Sequence, residues 1–568
     1  MIQKHIILTL SAGFLAFSFT VNAQEKSIQS ADLKYMHHEV LDDPYLPNAY
    51  GNKLTAPGYR YDSRLKSGTG QSSIFTAQVN VDEFGDNILG DAANEPSIAV
   101  NPWHPEVIAI GWRQFDNVAS NFRQAGWGYS TDGGRTWTYP GVIEPGFFRS
   151  DPVLDYDAEG NFFYNSLTND PDYYCTVFKS NNGGMDWDEG VPAHGGDKQW
   201  MAIDRTYGDG HGNVYASWTS YYSTCEPGFF TRSTDAGKHF ENCIEVPGNP
   251  YWATMAVGNE GELYIAGNNG VQDSIVVVRS LNVYQKDSVV MWDDPVMVYM
   301  GGIPTGWQPV NPAGLMGQVN VDVDRSDGPG RDNVYVLASI KRSMDKDPGD
   351  VMFTRSTDGG ATWSAPLKLN DDISTDNYQW FGTMAVAPDG RIDAVWLDTR
   401  DATGGSDSSA LYYSYSIDEG LNWSENEKLS PLFDPHVGYP NQNKMGDYID
   451  MVSDSAGVHL AWANTMNGEQ DVYYSRIIPN INSTAIKEIS DFSNIRIYPN
   501  PVTAKLHIRG LGTASRIEIL NITGQKIFSG VFEADRAEID LSGQSSGIYI
   551  IRVIDMDGGL IFRKIAKQ

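Results

Sequence analysis

The sequence predicts an all-β protein in which repeated units of short strands precede a small β-sandwich. Three observations support this fold class. One turn motif recurs through the chain, a pair of apolar strands precedes each copy, and roughly the last 80 residues alternate apolar and polar side chains between glycines. Recurring turns with period-two alternation are typical of β-structure, and a repeat of this length predicts stacked sheets.

The turn motif has the pattern Ser-x-Asp-x-Gly-x-x-Trp and begins at Ser130, Ser180, Ser233, Ser356 and Ser416. Its third residue should accept backbone N–H groups of the turn, and glycine should supply a positive φ. We therefore expect structural roles for Asp132, Asn182, Asp235, Asp358 and Asp418. The serines are 50, 53, 123 and 60 residues apart, so the double gap predicts a sixth, degenerate copy from Ser280 to Trp292.

These turns resemble the Asp-box, or BNR repeat, of sialidase-like β-propellers. Seven apolar strand pairs accompany them, at 96–100 with 107–112, 151–155 with 162–164, 200–204 with 214–218, 253–257 with 263–266, 319–323 with 334–338, 383–386 with 393–396, and 449–452 with 458–462. The resemblance and the count predict a seven-bladed β-propeller over 73–478. The last unit lacks an outer strand, which residues 73–81 should supply. Six blades is the alternative, because sialidases have six.

The first 23 residues predict a secretory signal peptide. Lys4 and His5 precede an apolar run from Ile6 to Phe19, and cleavage is expected after Ala23. This run is shorter than the roughly 20 residues that span a bilayer, so no transmembrane anchor is expected. Residues 24–72 form an N-terminal extension, and the turn-forming residues 479–490 form a linker.

Residues 491–568 predict a small Ig-like β-sandwich. This segment resembles the type A C-terminal sorting domain of the type IX secretion system of Bacteroidota. The matching stretches are 498–501 (Tyr-Pro-Asn-Pro), 521–525 (Asn-Ile-Thr-Gly-Gln), 546–549 (Ser-Gly-Ile-Tyr) and 563–567 (Arg-Lys-Ile-Ala-Lys). The resemblance implies export across both membranes, the secretion machinery as a partner, and a secreted or cell-surface product that is either released or attached.

Charge excludes one large class of partners. The chain has 41 Lys and Arg against 72 Asp and Glu, a net charge of −31. A nucleic-acid binder needs a basic surface, and an anionic bilayer would repel this chain. With 41% hydrophobic residues, the sequence also has enough apolar surface to fold.

Candidate binding residues come from the loops that precede each inner strand and follow each second strand. In Asp-box propellers these loops form the mouth, opposite the boxes. Aromatic faces and forked polar donors suit sugars with acidic substituents. The expected ligand is thus an extracellular glycan or polysaccharide, and the substrate-binding candidates are Glu95, Arg113, Lys198, Trp200, Trp252, Lys341, Trp380, Asp398, Arg400 and Asp447.

The sialidase resemblance also implies a chemistry. Sialidases hold the substrate carboxylate with three arginines and use a Tyr–Glu nucleophile pair and an acidic proton donor. Arg113 and Arg400 match two of the arginines, with Arg149 or Arg342 open as the third. The catalytic candidates are Asp151 and Asp197 as acids and Tyr251 and Tyr448 as nucleophiles. The chain lacks the Arg-Ile-Pro motif of sialidases, and this departure argues against sialidase activity in this chain.

Two other functional classes remain open. A polysaccharide lyase would need a histidine or tyrosine base, for which His194 and His211 are candidates. A non-catalytic surface propeller would bind protein or glycan, as an adhesin does. A deep pocket with clustered arginines and paired carboxylates would favour an enzyme, and a shallow mixed rim would favour a binder.

Three cysteines leave at least one thiol unpaired. Cys175 and Cys225 occupy equivalent places in adjacent units, so one disulfide to consider in an exported protein joins them. Cys225–Cys243 is the alternative, and spacing alone does not choose between the two. No zinc or P-loop motif is present, and no metal or cofactor is expected. A structural Ca²⁺ at residues 322–324 or 345–347 stays open.

Overall fold

The computed structural model describes residues 42–45, 54–63, 72–170, 172–220, 223–271, 273–344, 346–404, 406–481, 496–511, 515–521, 526–532, 536–555 and 560–568. The expected signal peptide, most of the extension, residues 482–490 of the linker and residues 522–525 of the sorting-domain turn lie outside these ranges. The described residues contain β-strands and no α-helix, and none of their segments could cross a membrane as a helix. The chain divides into two units between Pro479 and Asn480.

The first unit contains seven successive antiparallel sheets, which we call blades 1 to 7. Their strands, from the inside outwards, are as follows: blade 1, Ala92–Val100, Ile108–Phe115, Gln124–Ser130 and Thr138–Val142; blade 2, Ser150–Tyr156, Phe162–Thr168, Tyr174–Ser180 and Val191–Pro192; blade 3, Trp200–Ile203, Val214–Ser217 and Phe230–Ser233; blade 4, Tyr251–Val257, Leu263–Asn268, Ser274–Ser280 and Val296–Tyr299; blade 5, Asn320–Val323, Val334–Arg342, Asp350–Ser356 and Leu367–Lys368; blade 6, Gln379–Val386, Ile392–Asp398, Ala410–Ser416 and Glu427–Lys428; blade 7, Asp450–Asp454, Gly457–Asn464, Asp471–Ile478 and Ser73–Gln78.

Short strands supplement the blades. Gly302–Pro304 adds to blade 5 and Arg60–Asp62 adds to blade 7. Thr55–Pro57 pairs with Asp86–Ile88, and Gly306–Gln308 pairs with Asn311–Leu315 as a separate hairpin.

The ring closes through the strand that precedes blade 1. Ser73–Gln78 pairs antiparallel with Asp471–Ile478, in a register that places Ser73 opposite Ile478. Each inner strand contacts the inner strand of the next blade, and that of blade 7 contacts that of blade 1. The predicted β-propeller is therefore confirmed, with seven sheets in the ring. The N-terminal strand thus covers the outer edge of Asp471–Ile478, which would otherwise be left unpaired where the ring closes.

Inner-strand side chains connect neighbouring blades. Asp450 of blade 7 accepts a hydrogen bond from the backbone N–H of Ile98 in blade 1 (3.1 Å), and Asp322 of blade 5 accepts one from Val386 in blade 6 (2.8 Å). Burial raises the pKa of Asp450 to about 6. These carboxylates serve the structure, because they satisfy backbone donors that would otherwise be buried without partners.

The turns behave as their sequence predicts. In the turn at Ser356, the hydroxyl donates to Asp358 (2.8 Å) and accepts from the N–H of Gly360 (2.8 Å). Asp358 also accepts from Thr362, and these hydrogen bonds lower its pKa to about 2. The degenerate copy keeps part of this geometry, since Asn282 accepts from the N–H of Met291.

The structure distinguishes the two candidate disulfides. Cys225 is bonded to Cys243, and Cys175 is a buried free thiol, so Cys175 and Cys225 are not paired. Blade 3 has only three strands, and the bridge joins the loop before its third strand to the segment that takes the place of a fourth. An isolated pairing of Phe230 with Ile244 lies beside the bridge.

The second unit is a β-sandwich. One sheet contains Arg496–Tyr498, Lys505–Arg509 and Arg536–Asp540, and the other contains Lys526–Phe532, Ser515–Asn521, Gly547–Asp555 and Leu560–Lys567. Leu506 and Ile539 of the first sheet share one core with Ile519 and Ile551 of the second. Asn500, in the Tyr-Pro-Asn-Pro stretch, holds the last strand by accepting from the N–H of Ala566 (2.9 Å).

Candidate functional site

Five of the inner strands have a residue with left-handed backbone geometry at or near their N-terminal end. Glu95, Asp151, Lys198, Trp252 and Phe381, in blades 1, 2, 3, 4 and 6, have φ between 48° and 57°. Gly317 and Gly446 take φ of 126° and 102° just ahead of the other two inner strands. A left-handed conformation is unfavourable for residues with a side chain and often marks special sites. Three of these residues are charged, and they lie in one cluster.

The charged residues form a buried ion network at the predicted mouth, which we call the mouth cluster. Lys198 Nζ lies 2.9 Å from Asp447 Oδ2, 3.0 Å from Asp197 Oδ1 and 3.6 Å from Asp151 Oδ2. Lys444 Nζ lies 2.6 Å from Asp447 Oδ2. Glu95 is the fourth carboxylate of the mouth cluster, beside Asp151, Asp197 and Asp447. These four face three cations, which are Arg113, Lys198 and Lys444.

Glu95 differs from the other acids of the mouth cluster. Its Oε1 lies 3.2 Å from Arg113 Nη2 and 3.2 Å from Lys444 Nζ, and the side chain is fully buried. Burial raises its pKa to about 7, against the opposing effect of the two cations. In Asp151 and Asp447 the neighbouring cations outweigh burial and hold the pKa well below its usual range. Protonation of Glu95 would leave three carboxylates opposite three cations.

A hairpin covers the mouth cluster. It consists of Gly306–Gln308 and Asn311–Leu315, inserted between blades 4 and 5. The N–H of Leu315 donates to Asp447 Oδ1 (2.8 Å), and the Asn311 amide donates to the carbonyl of Gly446 (2.9 Å). Because both acceptors belong to blade 7, the hairpin reaches across the ring end from blade 4.

The predicted nucleophiles are packed inside the protein. The hydroxyl of Tyr448 donates a hydrogen bond to the carbonyl of Pro152 (2.6 Å), and burial raises the pKa of Tyr448 well above the usual value. Tyr251 packs against Trp252, with ring centroids 5.0 Å apart, and Leu315 of the hairpin completes that cluster. The Tyr448 hydroxyl is therefore already engaged by a backbone carbonyl.

The structure brings Glu95, Arg113, Asp151, Asp197, Lys198, Asp447 and Tyr448 together, and Trp200 packs edge-on against Tyr448 with ring centroids 5.6 Å apart. The remaining predicted residues lie elsewhere. Lys341 is exposed on blade 5, and Trp380 is buried in the core, where its indole donates to Ser409 (3.1 Å). Arg400 binds Asp398 (2.8 Å) and Asp371 rather than the mouth cluster.

The other predicted residues also have local partners. Arg149 donates to Glu144 (2.8 Å), and Arg342 lies 3.5 Å from Asp350. His211 is on a turn and contacts Glu159 (2.7 Å). Of the predicted calcium ligands, Asp345 is outside the described residues, and Asp322 and Asp324 accept backbone N–H bonds.

Sequence reasoning missed Lys444 and the covering hairpin. Lys444 precedes the inner strand of blade 7 and stands three residues from Asp447, a spacing that could have marked it as the carboxylate's partner. The hairpin gives no such signal, because its partners on blade 7 are more than 100 residues away.

The central channel provides a second polar region. It is lined by the inner strands of all seven blades, and its volume is about 130 Å³. Toward the C-terminal ends of these strands, Arg205 pairs with Asp155, and Arg325 pairs with Asp322 (3.4 Å). A channel of this size holds a few waters, whereas ligand pockets usually occupy about 300–1,000 Å³.

The outer wall between blades 4 and 5 carries an apolar groove, which we call the seam groove. Met297, Tyr299, Trp363 and Pro366 line a cavity of about 380 Å³ there. A neighbouring cavity of about 250 Å³ lies beside Arg279 in the same seam. Met297 and Tyr299 are both exposed, and the residue between them is buried.

Comparison with known proteins identifies the second unit. Residues 496–568 match the family model described as the secretion system C-terminal sorting domain. No curated protein matches the chain.

Similar solved structures include three proteins of low identity. A protein of unknown function from Dyadobacter fermentans is 15% identical, covering 71% of this chain and 98% of its own, with a TM-score of 0.38. A leech intramolecular trans-sialidase is 12% identical, covering 54% and 64%, with a TM-score of 0.35. PorZ, a surface component of the type IX secretion system of Porphyromonas gingivalis, is 13% identical, covering 88% and 74%, with a TM-score of 0.27. Similarity at this level carries no argument about chemistry.

The sorting domain and the ring of sheets together establish the general nature of the protein. The domain directs export by the type IX secretion system. The chain is a β-propeller with a C-terminal sorting domain, delivered to the cell surface or the extracellular space.

Proposed function

We propose that this protein is a non-catalytic, exported propeller that binds a protein partner through the seam groove. The observation that carries the non-catalytic part is the closed mouth: Asp151 and Asp197 pair with Lys198, and Tyr448 is hydrogen-bonded to a buried carbonyl. A hydrolase needs a nucleophile or base that reaches its substrate.

The carboxylates of the mouth cluster are unsuited to glycosidase chemistry. An acid catalyst works best with a pKa near the operating pH, and its partner carboxylate must be free to act. The pKa of Asp151 lies far below that range because Lys198 and Arg113 stabilise its charge. Glu95 has a suitable pKa, about 7, but it is fully buried between Arg113 and Lys444.

The seam groove supports the binding role. Among the described residues, the strand Val296–Tyr299 pairs along one edge only, with Ser274–Ser280. Its exposed side chains Met297 and Tyr299 stand on one face, next to the indole of Trp363. An open edge with alternating apolar side chains suits an added strand from a partner, with pockets that select its side chains.

An extended apolar segment of a protein partner is therefore the proposed occupant. Glycan binding is the alternative, because aromatic groups such as Tyr299 and Trp363 also stack on sugar rings. The groove contains no arginine or lysine among its lining residues, so an acidic sugar would find no cation there.

The experiment uses a peptide array, a glycan panel and two matched variants of the protein. The purified protein is applied to an array of extended apolar peptides and incubated with a panel of sialylated, sulfated and uronic-acid glycans. We expect peptide binding, no glycan product, and loss of peptide binding in Tyr299→Lys. Ile417→Lys is the control, because Ile417 is 50% exposed on another blade and Tyr299 is 53% exposed.

Three outcomes would contradict the proposal. Glycan turnover would restore the enzyme hypothesis, and glycan binding without peptide binding would favour a lectin. Equal loss of peptide binding in both variants would show that the seam groove is not the binding surface.

A further inference from the structure

A cluster of three side chains lies outside the mouth cluster and the seam groove, in and beside blade 3. The ring nitrogen Nδ1 of His194 lies 3.6 Å from Cys225 Sγ, and the donor atoms of His194, Cys225 and Cys243 all lie within 4.8 Å of one another. All three residues are half-buried, so solvent can reach them.

The distance between the histidine and the sulfur fits a shared metal ion. A zinc-class ion binds thiolate at about 2.3 Å and imidazole at about 2.0–2.1 Å, so tetrahedral geometry puts the two donors about 3.5 Å apart. The observed 3.6 Å between His194 Nδ1 and Cys225 Sγ agrees with that spacing. Two thiolates on one such ion lie about 3.8 Å apart, so the sulfurs must separate from the disulfide to bind it.

The imidazole of His194 lies beside both the sulfur and a backbone group. Nδ1 is the ring nitrogen near Cys225 Sγ, and the ring also interacts with the backbone of Glu241. In metal-binding histidines the second ring nitrogen commonly forms such a contact, which fixes the tautomer.

Hydrogen bonds, in addition to the disulfide, join the segments that carry the three residues. Residues 194–196 are joined to the Cys225 loop, since the Ser223 hydroxyl donates to the carbonyl of Gly195 (2.7 Å). The N–H of Cys225 in turn donates to that hydroxyl (3.1 Å). Beside Cys243, the N–H of Ile244 donates to the carbonyl of Phe230 (2.9 Å).

We propose that His194, Cys225 and Cys243 form a binding site for a zinc-class divalent cation, which opens when the Cys225–Cys243 disulfide is reduced. A dithiol reductant transfers two electrons and two protons to the disulfide and is itself oxidised to a disulfide. The cation then binds two thiolates and the imidazole, and the two thiol protons are released. Three protein ligands leave a fourth position for water, as in zinc sites with an open coordination position.

The test measures Co²⁺ and Zn²⁺ binding by the purified full chain before and after reduction. Co²⁺ bound by thiolates gives a charge-transfer absorption that reports sulfur ligation, and Zn²⁺ should displace it. We expect one Co²⁺ per chain in the reduced protein and none in the oxidised protein. His194→Ala should weaken binding at least about tenfold, and Cys243→Ser should abolish the charge-transfer band.

The free thiol supplies the matched control. Cys175 is buried and is not one of the three donors, although its backbone N–H donates to the carbonyl of His194. Cys175→Ser keeps that backbone contact and should bind Co²⁺ as the reduced wild type does. Circular dichroism checks that each reduced variant remains folded. Absence of the charge-transfer band in the folded reduced protein, equal loss in Cys175→Ser, or unfolding of the wild type on reduction would each overturn the proposal.

Discussion

Lys198 of blade 3 and Asp447 of blade 7 are joined by an ion pair of 2.9 Å at the end of the ring. Both side chains are at least nine-tenths buried, and the covering hairpin donates a further hydrogen bond to Asp447. A buried pair between distant parts of the chain forms only once all the blades are in place. The ion pair between Lys198 and Asp447 is therefore a marker of the closed ring.

The first prediction concerns the loss of the central cation. Lys198→Met removes the charge that faces Asp151, Asp197 and Asp447, and leaves the four carboxylates of the mouth cluster opposite two cations, Arg113 and Lys444. Breaking a buried ion network in this way costs about 3–5 kcal/mol. Denaturant unfolding should show that decrease in the free energy of unfolding. The exposed Lys341→Met should change it by less than about 0.5 kcal/mol, and an equal effect of the two variants would argue against a structural cluster.

The second prediction concerns pH. The folded-state pKa of Glu95, about 7, is above its ordinary value of 4.5, so the folded protein binds that proton more tightly. This contribution to stability is complete below pH 4.5 and is lost as the pH rises through 7. Asp471 has a pKa of about 7 and acts in the same direction, whereas burial lowers the pKa of His459, whose contribution is lost at low pH.

Comparison with a variant isolates the Glu95 contribution. Thermal unfolding between about pH 5 and about pH 7.5 should show a smaller decrease in Tm for Glu95→Gln than for the wild type. The exposed Glu106→Gln should leave the wild-type dependence unchanged. Identical pH dependence in wild type and Glu95→Gln would mean that Glu95 does not titrate in this range.

The third prediction tests the closing strand. Ile74 is 1% exposed and lies on the N-terminal strand that completes blade 7. Ile74→Ala should lower the free energy of unfolding by about 2–4 kcal/mol, because a buried side chain is lost and a cavity remains. The fully exposed Ile373→Ala serves as the control in the same urea titration. A change below about 1 kcal/mol for Ile74→Ala would contradict a closing role for this strand.

The fourth prediction tests a turn. Ser356→Ala removes a buried hydroxyl that accepts from the N–H of Gly360 and donates to Asp358. Leaving that buried N–H unsatisfied costs about 1–3 kcal/mol. Thr403→Ala, on an exposed loop, is the matched substitution. If both variants unfold at the same temperature, the hydroxyl does not hold the turn.

Local chemistry made the fold predictable. The turns at Ser130 and Ser356 need Asp and Gly at fixed offsets, and strand alternation is visible over a few residues. The spacing of the turns then indicated a degenerate copy at Ser280, and the seven apolar strand pairs indicated the number of units. The N-terminal strand could be assigned because the last unit lacked an outer strand.

The state of the mouth could not be predicted in the same way. In the sequence, Glu95 and Asp447 precede the apolar segments 96–100 and 449–452, as loop residues would, and nothing local shows that they will be buried. Their burial depends on ring closure and on the hairpin at Asn311, whose hydrogen bonds join distant residues. Cys225 is bonded to Cys243, in the segment that takes the place of a fourth strand in blade 3, and the sequence does not reveal that this strand is missing.

Lysine labelling tests most directly whether the mouth is closed. Reductive methylation of the native protein, followed by peptide mass spectrometry, compares each lysine with the exposed Lys341. The side chains of Lys198 and Lys444 are 6% and 10% exposed, so both should stay unmodified until the protein unfolds. Modification of Lys198 in the native protein at the rate of Lys341 would contradict a buried structural cluster and reopen the mouth as a ligand site.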